Sequence, residues 1–90
     1  MSIAEALARA ETNSPFLARL IERNADLLPK IEAGDFDGAL SMALARTDDN
    51  VGTMLRRQRQ GVALVTAIAD LSENWDLTRI TQTLSDFADH

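Results

Sequence analysis

The stretch VGTMLRRQRQGVALVTAIADLS, Val51 to Ser72, is the longest continuous pattern in the chain and decides its fold class. Val51, Leu55, Val62, Val65 and Ala69 fall on one stripe when wound at 3.6 residues per turn, and Met54, Leu64 and Ile68 widen it. That spacing predicts one long amphipathic helix. Gly52 and Gly61 weaken it by up to about 1 kcal/mol each, and Gly61 marks either a close helix crossing or a local bend. Thr47-Asp48-Asp49-Asn50 starts the segment, with acidic groups where a helix dipole favours them.

Working toward the amino terminus, Phe36, Leu40 and Leu44 recur every four residues over Phe36–Arg46, with Ala39 and Ala43 beside them. A second amphipathic helix is expected there, capped by Asp35 and separated by Gly34 from the segment before it. Pro29 restricts Leu28, so the chain between Asn24 and Gly34 should kink or break, with Asn24 as the cap of its first short helix. Ser14 before Pro15 is a strong start signal. The helix that follows carries Phe16, Leu17, Leu20 and Ile21 on one face. A further short helix is read over Ile3–Glu11. Toward the carboxyl end, Ser72 to Asn74 is a loop, and Asp76 caps a last helix bearing Leu77, Ile80, Leu84 and Phe87. Strand-like alternation and internal repeats are absent. The reading is an all-α protein, an irregular bundle of five or six helices occupying residues 1–90 as one domain.

Composition limits what such a bundle does. With 90 residues and 46 % apolar content, the chain supports one modest core. The net charge of −5 disfavours a nucleic-acid or membrane-surface partner. There is no cysteine, so a thiol nucleophile, a disulfide framework and a sulfur-ligated zinc site are excluded. No apolar run approaches the roughly 20 residues of a membrane span, and the first residues lack the basic-then-apolar order of a signal peptide. The expected location is cytoplasmic.

The candidate sites are few. Gly34-Asp35-Phe36-Asp37-Gly38 holds an Asp-x-Asp pair, the spacing that binds two magnesium ions in nucleotidyltransferases when it lies on a strand. Here it begins a helix, where alternate residues diverge, so capping is the expected role. His90 is the only histidine and lacks convergent partners. Trp75 is expected to plug a helix–helix corner. Ser14, Ser41, Ser72 and Ser85 suit caps and helix faces. A helix-turn-helix reading would make Asp76–Asp89 the recognition helix, but Arg79 is its only cation and its acidic residues would repel DNA. The basic cluster Arg56, Arg57 and Arg59 stands out. Its first reading is a solvated helix face offset by acidic neighbours; the functional alternative, with Arg56, Arg59 and Arg46 reaching one surface, is a contact for phosphate or, better, for an acidic surface of another domain. No catalytic, cofactor-binding or metal-ligating residue is assigned.

Three ordered stretches carry a resemblance. They are Ser14-Pro15-Phe16-Leu17-Ala18-Arg19-Leu20-Ile21, then Met54-Leu55-Arg56-Arg57-Gln58-Arg59 with Ala67-Ile68-Ala69-Asp70-Leu71, and Thr83-Leu84-Ser85-Asp86-Phe87-Ala88-Asp89. In this order, from about Ser14 onward, the chain resembles the N-terminal portion of the glutamine synthetase adenylyltransferases. The resemblance implies a bifunctional enzyme that adds AMP from ATP to a tyrosine of glutamine synthetase and removes it by phosphorolysis, with magnesium as cofactor. It implies glutamine synthetase and the PII signalling protein as partners of the whole enzyme, in nitrogen regulation. The family's Gly-Ser and Asp-x-Asp elements lie downstream of such a segment. The chain is therefore expected to be a helical preface to the deadenylylating domain, packed against a nucleotidyltransferase core beyond His90. The rival expectation is a stand-alone helical adaptor that binds another protein.

Overall fold

A computed structural model describes residues 2–88. Those residues form six α-helices, with no strand among them: α1 (Ile3–Asn13), α2 (Pro15–Arg23), α3 (Leu28–Glu32), α4 (Phe36–Leu44), α5 (Val51–Leu71) and α6 (Leu77–Ala88). A 3-10 turn, Ala25–Leu27, leads into α3. The all-α expectation holds, and His90 and Asp89 lie outside the described residues.

Short polar residues set the boundaries. Ser2, Ser14, Asp35 and Asn50 each accept a hydrogen bond from a free N–H in the first turn of the helix they precede, which satisfies donors the helix itself cannot. The break at Pro29 appears as the junction of the 3-10 turn and α3. Gly34 closes α3 with φ +80°, a conformation open to glycine. The amide of Asp35 then reaches back to the Lys30 carbonyl. One expected cap is absent: the Asn24 side chain makes no capping bond and serves another purpose described below.

The fold is organised around α5, against which α1, α2, α4 and α6 all pack. Its carboxyl-terminal half supplies Leu64, Val65, Ile68 and Ala69 to a core completed by Ala6, Ala10, Leu20, Leu27, Ile31, Phe36, Ala39 and Ala43. Many of these side chains are alanines, so the helices approach closely, and dispersion between well-packed backbones adds to the burial of the few large residues. Gly61 is the extreme case. A Cβ there would stand 2.6 Å from the Ala43 Cβ and 3.4 Å from Leu27 Cδ1, so the glycine marks a close crossing of α5 over α4.

The apolar stripes are not buried evenly. Val51 is 63 % exposed and Leu55 44 %, because the first turns of α5 project beyond the bundle. The buried face of α5 begins at Gln58. On α6 the apolar spacing also misleads. Leu77 and Leu84 are exposed, while Thr83 is buried and Ile80 and Phe87 are half-buried. The inward face of α6 is thus the 80–83–87 stripe, and Thr83 satisfies its hydroxyl by donating to the Arg79 carbonyl at 2.8 Å. On α2, Leu20 is buried, Leu17 and Ile21 half-buried, and Phe16 exposed.

Candidate functional site

The arginines divide into two groups with opposite surroundings. Arg46 follows α4 and turns inward, with its side chain 8 % exposed. Its Nη1 donates to Asn24 Oδ1 at 2.6 Å and to the Arg57 carbonyl at 2.9 Å, and its Nη2 meets both oxygens of Asp26 at 2.9 and 3.1 Å. Asn24, itself 1 % exposed, donates to the Leu20 carbonyl at 2.7 Å. Gln58 completes the arrangement by donating to the carbonyls of Leu44 and Arg46, each at 3.1 Å. The result is a polar clasp joining the end of α2, the 3-10 turn, the α4–α5 connection and α5. Gly61 leaves room for it, since a Cβ there would lie 3.0 Å from Arg46 Nη1. Arg46 Nε and Gln58 Oε1 are buried without a protein partner. This placement corrects the expectation that Arg46 joins the surface cluster: its charge is committed to Asp26 within the fold.

Arg56, Arg57 and Arg59 are all exposed, and none forms an ion pair among the described residues. They do not converge on one point. At about 100° per residue, Arg57 and Arg59 project to sides about 160° apart, with Arg56 between them. Arg56 shares its face with Gln60, one turn on. Gln60 in turn lines a cleft of about 240 Å³ with Phe16, Arg19, Leu20 and Arg23 of α2. Periodicity alone did not point to Arg19 and Arg23, because nothing in the sequence of α2 tells that its charged edge meets α5.

Asp35 and Asp37 diverge. Asp35 accepts from the Gly38 amide at 2.9 Å and pairs with Lys30 at 3.5 Å, whereas Asp37 pairs with Arg79 of α6. Arg79 also lies over the Trp75 ring, 4.5 Å from its centroid, and Trp75 packs against Phe36 with centroids 6.0 Å apart. Trp75 therefore sits in the corner where α4, α5 and α6 meet. Ser14 caps α2, and the Ser72 hydroxyl donates to the Ile68 carbonyl at 2.6 Å. Beneath α6, Leu40, Leu44, Val62, Thr83 and Phe87 line an apolar cleft of about 340 Å³ with Arg79 and Asp86 at its edge. Among the described residues no group of three or more His, Asp or Glu side chains is placed to hold a metal ion, and no helix is long and apolar enough to cross a membrane.

Fold and surface together define a small helical module with a structural arginine inside and unpaired arginines outside. No family model matches the chain, and no solved structure matches it. The chain is similar to a segment of the bifunctional glutamine synthetase adenylyltransferase/adenylyl-removing enzyme of Caulobacter vibrioides. The identity is 35 % over 91 aligned residues, which span 92 % of this chain and 9 % of that enzyme.

Proposed function

We propose that the chain is a non-catalytic helical module of an enzyme that adds AMP from ATP to a tyrosine of glutamine synthetase and removes it by phosphorolysis. The observation that supports this reading is the similarity just described, which runs through nearly all of this chain and through 9 % of the relative. Chemistry then belongs to nucleotidyltransferase domains outside this segment, which would hold ATP and magnesium. The residues present do not suit the two-metal arrangement: Asp35 and Asp37 begin a helix, point apart, and are engaged by Gly38, Lys30 and Arg79. The module's part is structural, packing against the remainder of the enzyme, with Arg56, Arg57 and Arg59 available to that contact. Glutamine synthetase and the PII signalling protein are partners of the whole enzyme, which works in the cytoplasm.

The reading is tested by sequencing the natural gene past the codon for His90. Continuation into a strand carrying Gly-Ser and Asp-x-Asp is expected; an immediate stop codon leaves the module without its enzyme and makes a separate adaptor the better answer. On the protein itself, the 90-residue chain should release no AMP from adenylylated glutamine synthetase, and release above background would refute the non-catalytic role.

A further inference from the structure

Of the nine basic side chains in the sequence, three are paired within the fold: Lys30 with Asp35, Arg46 with Asp26, and Arg79 with Asp37. Arg19 and Arg23 of α2 have no such partner among the described residues and line one feature, and Arg56 of α5, likewise without an ion pair, lies one turn before Gln60 in the same feature. Phe16, 59 % exposed, stands one turn from Arg19 and Leu20 on α2. With Arg23 and Gln60 these residues line the cleft of about 240 Å³ between α2 and α5. Arg56 continues its α5 wall on the face of Gln60. Glu22 is the nearby acid on α2, but it lies on the flank of that helix and pairs with none of the three.

An open aromatic ring rimmed by unpaired guanidinium groups runs against the trend of a chain with net charge −5. Guanidinium forks match carboxylates in geometry and charge, and an exposed ring beside a shallow cleft offers a site for one apolar anchor. A polyanion such as nucleic acid fits less well. It would feel the net negative field of the whole module, and Phe16 alone offers no run of stacking surfaces for successive bases.

We propose that the cleft between α2 and α5 receives an acidic segment, bearing one apolar side chain, from the rest of the enzyme chain. This rests on the reading of the chain as a module of a longer enzyme. The occupant follows from two observations: the rim is cationic and unpaired, and the aligned segment is only 9 % of the relative's length, so most of that enzyme lies elsewhere along its chain. The carboxylates pair with Arg19, Arg23 and Arg56, and the apolar side chain rests against Phe16 and Leu20.

Arginine modification by phenylglyoxal, located by peptide mass spectrometry, tests this on the 90-residue chain and on the full-length product of the natural gene. Arg19, Arg23 and Arg56 should react at least ten-fold more slowly in the full-length protein, while Arg9 on α1 serves as the internal control with unchanged reactivity. When the remainder of the enzyme is made separately and titrated with the 90-residue chain, Phe16→Ala or the pair Arg19→Glu and Arg23→Glu should weaken association at least ten-fold. Circular dichroism should show that these surface variants remain helical. Equal reactivity of the three arginines in both forms overturns the docking site. So does protection of the same arginines in the 90-residue chain by a single-stranded oligonucleotide, which would mark a polyanion site. A stop codon at His90 removes the module reading and the proposal with it. A continuing frame with unprotected arginines removes only the proposal.

Discussion

Arg46 and Arg56 flank the turn into α5 and meet opposite surroundings. Arg46 is nearly sealed from solvent, held by Asn24, Asp26 and the Arg57 carbonyl. Arg56 is exposed and has no ion-pair partner among the described residues. The same side chain is thus an internal brace at one end of the turn and a hydrated surface group at the other. What separates them is desolvation. A buried donor array without partners costs several kcal/mol, so Arg46 is tolerated because the fold supplies acceptors to both of its terminal nitrogens. An exposed guanidinium is hydrated and carries no such requirement. The chain accordingly has one side whose arginine is committed to the fold and another whose arginines are not.

The largest effect is expected in the carboxyl-terminal half of α5, the centre of the fold. Ile68 is fully buried in the core. Ile68→Ala should therefore cost about 2–5 kcal/mol, the transfer term plus the cavity left by neighbours that relax only in part. Urea unfolding followed by circular dichroism measures it. A loss below about 1 kcal/mol would mean that the core re-closes around the gap, at the low end of what such cavities allow. In a domain of this size, whose total stability is on the order of 5–10 kcal/mol, the expected loss is a large share.

The clasp itself comes next. Arg46→Met retains much of the side chain's volume but leaves Asn24 Oδ1 buried without its donor. About 1–3 kcal/mol should be lost for that orphaned acceptor. The ion pair adds little to this figure, because the Asp26 side chain is 54 % exposed and a pair so wetted contributes about 0–1 kcal/mol. The loss should therefore change little between low and high salt. Thermal melts at two ionic strengths decide the matter: a loss that vanishes in salt would make the clasp an ordinary surface pair. Gly61→Ala probes the same junction from the other side. Alanine improves helix propensity by up to about 1 kcal/mol, yet its methyl meets Ala43 at 2.6 Å. Overpacking of about 1–3 kcal/mol should offset or outweigh the gain and leave a net loss of about 0–2 kcal/mol. A rise in melting temperature would show that α4 and α5 can separate at little cost.

These elements were not equally legible. Caps and breakers act within a few residues of themselves, so Ser14-Pro15, Gly34-Asp35 and Asn50 placed helix starts that the structure retains. The buried half of α5 was visible in its spacing. The limits of each stripe were not, because burial of Val51 or Leu77 depends on where a neighbouring helix ends, which no local pattern records. Asn24 shows the same limit. As a residue before a short helix it reads as a cap, and only the approach of Arg46 from a distant part of the chain gives it another role. The end of α5 is another case. Glu73 takes φ +60°, a position where a glycine would have signalled the turn and a glutamate signals nothing. Of the site, Arg56, Arg57 and Arg59 form a cluster in the sequence itself, whereas Arg19 and Arg23 meet α5 only through the packing of α2 against it.

If the open arginines serve a contact outside the fold, then Arg19→Met, Arg56→Met and Phe16→Ala should each change the stability of the 90-residue chain by no more than about 0.5 kcal/mol, as surface substitutions do. The expectation follows from what each side chain touches: Phe16 is more exposed than buried, and the two arginines lack ion-pair partners among the described residues. Removing Arg56 also relieves repulsion from Arg57 and Arg59, so a slight gain is as consistent as a slight loss. Set beside Arg46→Met in the same urea titration, the contrast is between an arginine that stabilises the fold and arginines it does not use. A loss above about 1 kcal/mol for Arg56→Met would assign Arg56 to the internal brace, since exposed positions rarely exceed half that figure, and the surface around Phe16 would then have no unpaired cation on its α5 side.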